Sequence, residues 1–177
     1  MKERACKEEY YLGIAKKVSD RGTCYRRKLG ALIVRDDQIV STGYVGAPRK
    51  TKDSLQHGFC LRDRLKIPSG QRYELCRSVH AEQNSIINAA RAGVSLLNGD
   101  MYIWGCNPDG SLMDAFPCFI CKKMIINAGF KRVICSTKDG GIKIFKIEEW
   151  QKNWSREGGD IIDDQYQYGQ GVKGLSE

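Results

Sequence analysis

Residues 78–87 read SVHAEQNSII and place His80 and Glu82 two positions apart, at what reads as the start of an amphipathic helix. The chain has only 2 histidines, so the position of one beside a carboxylate carries information. A second stretch, FPCFICKKM at 116–124, holds Cys118 and Cys121 at i and i+3, which puts both thiols on one helix face. A helix N-terminus favours thiolate over thiol. Taken alone, the CxxC pair reads equally as a redox dithiol, as half of a structural zinc site, or as coincidence. Two thiolates and one imidazole together suit Zn²⁺ with a fourth position open to water. That set is formally neutral. Glu82, offset from His80 by two residues, is free to face the water and move its proton. The alternative is a capped helix with an incidental histidine and unrelated core thiols.

The pairing of His80-Ala81-Glu82 with Pro117-Cys118-Phe119-Ile120-Cys121 resembles the H-x-E and P-C-x-x-C signature of zinc deaminases. Each half is weak alone, and the two in this order are specific. The chemistry implied is hydrolytic deamination, with Glu82 carrying protons to a ring nitrogen and to departing ammonia.

These residues need elements to hold them. Tyr10, Tyr11, Ile14 and Val18 fall near helical spacing and predict a first helix over 3–18. Leu29 to Val34 and Gln38 to Tyr44 read as strands joined at Asp36-Asp37 into a hairpin. Residues 45–77 read as a long irregular loop, rich in turn residues, of the kind that is functional or tied down. Ser78 is the expected N-cap of a helix to about Arg91, and Pro117 the expected first residue of a helix to about Asn127. Strands are expected at Met101–Trp104, Lys131–Cys135 and around Ile142 and Ile144, the last running into a helix over 147–157. A polar tail is expected from Gly158. The order β-β-α-β-α-β predicts a single α/β domain over residues 1–177 with a mixed sheet, its motif-bearing core about 20–157.

Composition narrows the setting. A chain of 177 residues can bury a real core. No apolar run is long enough to span a bilayer, and the charged MKERACKEEYYLG start lacks the apolar stretch of a signal peptide, so a cytoplasmic protein is expected. The net charge of +8 suits a phosphorylated substrate, a nucleic acid, or simple solubility. The basic residues are dispersed and show no aromatic-basic interleaving of the kind that grips single strands, which speaks against a tRNA substrate. The chain has 8 cysteines, and without a secretion signal these predict metal ligation or quiet core thiols rather than disulfides. Cys6, Cys106 and Cys135 are assigned to packing.

The runs GALIVRDDQIVSTGYVGAPR, GFCLRDRLKIPSG, ELCRSVHAEQNSIINAARAG and PCFICKKMIINAGFKRVI resemble the deoxycytidylate (dCMP) deaminase family, over about residues 20–157. The resemblance implies a three-layer α/β/α sandwich with a mixed five-stranded sheet, and conversion of dCMP to dUMP for thymidylate synthesis. It implies one catalytic Zn²⁺ on His80, Cys118 and Cys121, with Glu82 as proton shuttle. It implies a hexamer or dimer, activation by dCTP and inhibition by dTTP, with Mg²⁺ accompanying the nucleotide. The family's sugar-contacting loop, Gly-Tyr-Asn-Gly-x-Pro, here reads Gly43-Tyr44-Val45-Gly46-Ala47-Pro48. Valine cannot hydrogen-bond a sugar hydroxyl, so the substrate, deoxy or ribo, nucleotide or nucleoside, stays open at this stage. So does a non-catalytic nucleotide-binding zinc protein. Arg26 and Arg49 are candidates for the phosphate, and Tyr44 and Trp104 for stacking on the base, with solvated arginines and core aromatics as the plain alternatives. Some relatives carry a second, structural zinc, and Cys24, His57, Cys60 and Cys76 are the candidates here, set against separate thiols and a lone histidine.

Overall fold

The computed structural model of the protein describes residues 4–155, and the expected tail from Gly158 lies outside them. Helix α1 (Lys7–Ser19) leads into strands β1 (Lys28–Arg35) and β2 (Gln38–Tyr44). The first helix starts later than its spacing predicts. Cys6 caps it, its sulfur accepting from Glu9 N at 3.4 Å, just ahead of the buried Tyr11, Leu12 and Ala15. In the hairpin turn Asp36 and Asp37 both take positive φ, 50° and 62°, the twist that a two-residue connection demands.

The stretch expected to be a loop contains two one-turn helices, α2 (Ser54–His57) and α3 (Leu61–Arg64), and a 3₁₀ turn at Tyr73–Leu75. Then come α4 (Ala81–Arg91), β3 (Asp100–Cys106), α5 (Phe119–Asn127), β4 (Arg132–Ser136), β5 (Ile142–Lys146) and α6 (Ile147–Trp154). The sheet order is β2-β1-β3-β4-β5, with β3 and β4 parallel and every other pair antiparallel. This is the expected mixed five-stranded sheet.

Alternation along the strands sorts the core into two layers. Leu32, Val34, Tyr102 and Ile134 face Tyr11, Leu12 and Ala15 of α1. Ile33, Met101, Ile103 and Val133 face the other way, onto a layer that includes Ala89, Ile125 and Trp150 of α4, α5 and α6. The inner strands are buried on both faces, which is why they read as continuous apolar runs. Each fully buried aliphatic side chain contributes about 1.5–3 kcal/mol.

Helix α4 lies directly on β2. A Cβ on Gly43 would sit 2.3 Å from Ser85 N and 2.4 Å from Ala81 O, so glycine is what permits the approach. Three hydrogen bonds clip the pair together: Ser41 Oγ to Ser85 O (2.7 Å), Asn84 Nδ2 to Tyr44 O (2.8 Å) and Asn88 Nδ2 to Thr42 O (2.7 Å). The start of α4 is thereby fixed relative to the sheet.

Both helix starts differ from the sequence expectation. His80, not Ser78, is the N-cap of α4, because Val79 is held extended by paired bonds with Gly46 (2.8 and 3.1 Å). Cys118 is the N-cap of α5, and Pro117 precedes it. There the chain is still tied to the sheet by Ala115 N donating to Ser136 O at 3.0 Å.

Candidate active site

The two caps meet. His80 (φ −67°, ψ 155°) and Cys118 (φ −68°, ψ 166°) both have extended backbones, and Cys121 stands one turn into α5. His80 Nδ1 lies 3.4 Å from each of Cys118 Sγ and Cys121 Sγ. The three donor atoms all fall within 4.8 Å of one another, the one such group of histidine, cysteine or acidic side chains among the described residues. In tetrahedral zinc, bonds of about 2.3 Å to sulfur and about 2.0 Å to nitrogen separate the donor atoms by about 3.5 Å. The donor set and its spacing therefore fit Zn²⁺.

Burial shapes the chemistry here. Cys121 is 0% exposed, Glu82 4% and Cys118 7%. The Cys118 thiol is held down to about 4, first by its hydrogen bond with Cys121 and then by His80, against the opposing effect of burial. Cys121 is pushed well up by the same bond and by burial. A cation held between the two sulfurs would favour both as thiolates. Burial lowers the affinity of His80 for a proton, yet its bond to Cys118 and the charge of Glu82 outweigh that and raise it. Burial raises the Glu82 carboxyl, with His80 opposing, which suits a group that must both take and return a proton.

These residues open on a cavity of about 510 Å³, the size of a site for a small organic molecule. Its lining includes His80, Glu82 and Cys118 together with Val45, Tyr73, Ala81 and Phe116. Arg26, Arg27, Arg62, Asn107, Asp114 and Lys138 also line it. Tyr73 packs edge-on against His80, ring centres 4.9 Å apart, and burial first of all pushes its hydroxyl up to about 12.

Of the residues singled out in the sequence, Arg26 and Val45 line the cavity. Arg26 pairs through Nε with Asp63 (2.6 Å) and donates from Nη2 to Ile67 O (2.7 Å). Val45 is 5% exposed, and its backbone is bonded to Leu29 O and to Thr23 N.

Three other candidates lie away from the cavity lining. Trp104 lies on the opposite face of the sheet, packed with the α1 layer beneath Lys16 Nζ at 5.3 Å, because strand alternation puts it with Tyr102 rather than with Ile103. Tyr44 does not line the cavity, since its ring lies over Gly46. Arg49 instead donates to Asn88 Oδ1 at 2.6 Å.

The second set of metal candidates does not form a group of donor atoms within 4.8 Å of one another among the described residues, although Cys60 and Cys76 lie near enough to act on the Cys24 thiol. Cys24, Cys60 and Cys76 line the cavity, whereas His57 ends α2 and its ring packs against Phe59, 6.1 Å away. Cys106 and Cys135 are buried and Cys6 is exposed, all free thiols. Arg62, Tyr73 and Phe116 had no counterpart in the sequence reading. Single residues of irregular chain carry no periodicity to mark them. Among the described residues no helix is long and apolar enough to cross a membrane.

Residues 5–137 match the family described as the cytidine and deoxycytidylate deaminase zinc-binding region. The chain is 32% identical over 133 residues to the deoxycytidylate deaminase of Mycobacterium phage D29, covering 72% of this chain and 91% of that one. It is 29% identical over 130 residues to the deoxycytidylate deaminase of Schizosaccharomyces pombe, covering 73% of this chain but only 37% of the yeast protein's length. Among solved structures, the apo form of dCMP deaminase from the cyanophage S-TIM5 is similar with a TM-score of 0.52 and 25% identity, over 71% of this chain and 79% of that one.

Proposed function

Since the chain belongs to the cytidine and deoxycytidylate deaminase zinc-binding family, we propose that it is a zinc-dependent hydrolase converting dCMP and water to dUMP and ammonia. One observation carries this reading: His80, Cys118 and Cys121 converge at one end of a nucleotide-sized cavity, with the buried Glu82 beside them. The names of the phage and yeast relatives support dCMP as the substrate.

Held by His80, Cys118 and Cys121, zinc supplies the Lewis acidity that makes a water nucleophilic near neutral pH. Glu82 does the proton work. Its carboxylate takes the proton of the attacking water, passes it to the ring nitrogen next to the amino-bearing carbon, and then serves the departing ammonia. Its high proton affinity keeps both directions accessible. Tyr73 and Phe116 wall the reacting end and keep bulk water away from it. Cationic residues, Arg26 and Arg27 among them, give the cavity the sign that a nucleotide requires. A deoxynucleoside triphosphate effector with Mg²⁺, and assembly into an oligomer, belong to the same proposal and rest on family membership alone.

Val45 stands where a sugar-binding amide is expected, and it presents only methyl groups. The proposal therefore assigns little sugar discrimination to this loop.

The test is ammonia release from dCMP, CMP, deoxycytidine and 5-substituted dCMP, on protein whose zinc has been counted. Turnover of dCMP ahead of the others is expected. Zinc-loaded protein that binds dCMP and releases no ammonia would be a nucleotide-binding protein on this scaffold, and the enzymatic reading would be wrong.

A further inference from the structure

Arg62 occupies an unusual position. It is 5% exposed and lines the cavity, the one buried cation among the described residues that do so. Buried charges are ordinarily paired. Yet no carboxylate lies within ion-pair distance of Arg62 among the described residues, and the neighbouring Asp63 is taken by Arg26. A guanidinium carries five N–H donors. Nη2 donates to Pro68 O at 3.0 Å, while Nε is buried with no partner.

Its surroundings give the vacant donor a direction. The Arg62 guanidinium lies over the Tyr73 ring, 4.9 Å from its centre, and the same ring abuts His80. Arg62 is therefore one tyrosine ring away from the reacting end. Arg26 and Arg62 are fastened to the adjacent carbonyls of Ile67 and Pro68, so two guanidinium groups share one corner of the cavity, with Ser69 also in its lining. Both guanidinium groups line the same cavity as His80 and Glu82. Phosphate is the partner a guanidinium fork matches best, through two parallel N–H bonds.

We propose that Arg62 is a specificity-determining residue that pairs with the 5′-phosphate and makes the enzyme prefer a nucleotide to a nucleoside. The inference rests on the deaminase reading above. The rival is a structural role, in which Arg62 merely supports Tyr73.

The two roles separate on a ratio. kcat/KM is measured for dCMP and for deoxycytidine, in wild type and in Arg62→Gln and Arg62→Lys, each with its zinc counted. Wild type prefers dCMP. Arg62→Gln lowers that preference by on the order of 10- to 100-fold, the worth of a charged hydrogen bond. Arg62→Lys, which keeps the charge and loses the fork, lowers it less. A purely structural role reduces both substrates in proportion and leaves the ratio unchanged, and that result overturns the proposal. If Arg62→Gln does not fold, Arg62→Lys carries the test, and an unchanged ratio there overturns it equally. A wild type with no preference for dCMP would instead count against the dCMP reading itself, before any variant is considered.

Discussion

At one end of the cavity, His80, Cys118 and Cys121 stand in the first turns of two helices that pack on the central sheet. Elsewhere in its lining, Arg26 and Arg62 come from chain that forms nothing longer than a single turn. The metal end gets its geometry from regular elements. Each donor atom is aimed by a cap or a helical face, so the spacing of the residues is also their arrangement. The loop-borne lining gets its geometry from side-chain bonds to loop carbonyls, such as Arg26 to Ile67 and Arg62 to Pro68. Such a lining leaves no pattern in the sequence and accepts substitution more readily. Chemistry is thus placed where geometry must hold to a fraction of an ångström, and recognition where it can vary.

The largest effect should follow from opening the metal end. Cys121→Ala removes a fully buried donor, and we expect loss of zinc and of measurable turnover. Metal content and ammonia release check this, and a zinc-replete, active Cys121→Ala protein would remove that residue from the ligand set. Next comes the seating of α4. Gly43→Ala drives a methyl group into backbone at 2.3 Å, so it should cost about 1–3 kcal/mol in urea unfolding and slow turnover at least about tenfold as His80 and Glu82 shift. Unaltered stability would mean that the helix seat is not rigid.

Changes at the loop end should be milder. Val45→Asn adds an amide to the cavity wall, and on the proposed reading, in which this loop meets the sugar, a new hydrogen bond of about 1 kcal/mol predicts a roughly fivefold gain in kcat/KM for dCMP. A loss instead would show that Val45 does not face the sugar.

The smallest effect is a matter of pH. Burial, then the charge of Asp100, raises Tyr102 to about 12, so the folded protein keeps a proton that the unfolded chain releases near pH 10. Between about pH 10 and 12 the unfolded state binds fewer protons, and stability falls as pH rises, by on the order of 1 kcal/mol for this group. Below pH 10 it contributes no slope. Tyr102→Phe should flatten that part of the profile. An ultraviolet titration should find both Tyr73 and Tyr102 ionising near 12, and Tyr73 ionising near 10 would show the wall beside His80 to be open to solvent.

The same contrast explains what could be read in advance. The five strands announce themselves as apolar runs, and even the mostly exposed edge strand β5 is flagged by Ile142 and Ile144. His80, Glu82, Cys118 and Cys121 are legible because short-range helical spacing governs them. Ser78 as N-cap and Pro117 as first helical residue each set the helix start too early, because pairing of Val79 with Gly46 and of Ala115 with Ser136 is long-range and invisible locally. Trp104 was drawn to the site by its closeness in sequence, but a strand sends successive side chains to opposite faces. Arg62 and Tyr73 were not legible at all, since their positions depend on how residues 53–76 fold over the cavity.

The central claim is that Glu82 moves protons beside a zinc held by His80, Cys118 and Cys121. It is tested most directly by counting zinc and ammonia for wild type and Glu82→Ala together, with dCMP as substrate. The account predicts that the variant keeps its zinc and loses about 10²- to 10⁴-fold in kcat. Turnover near the wild-type rate in zinc-loaded Glu82→Ala would contradict it.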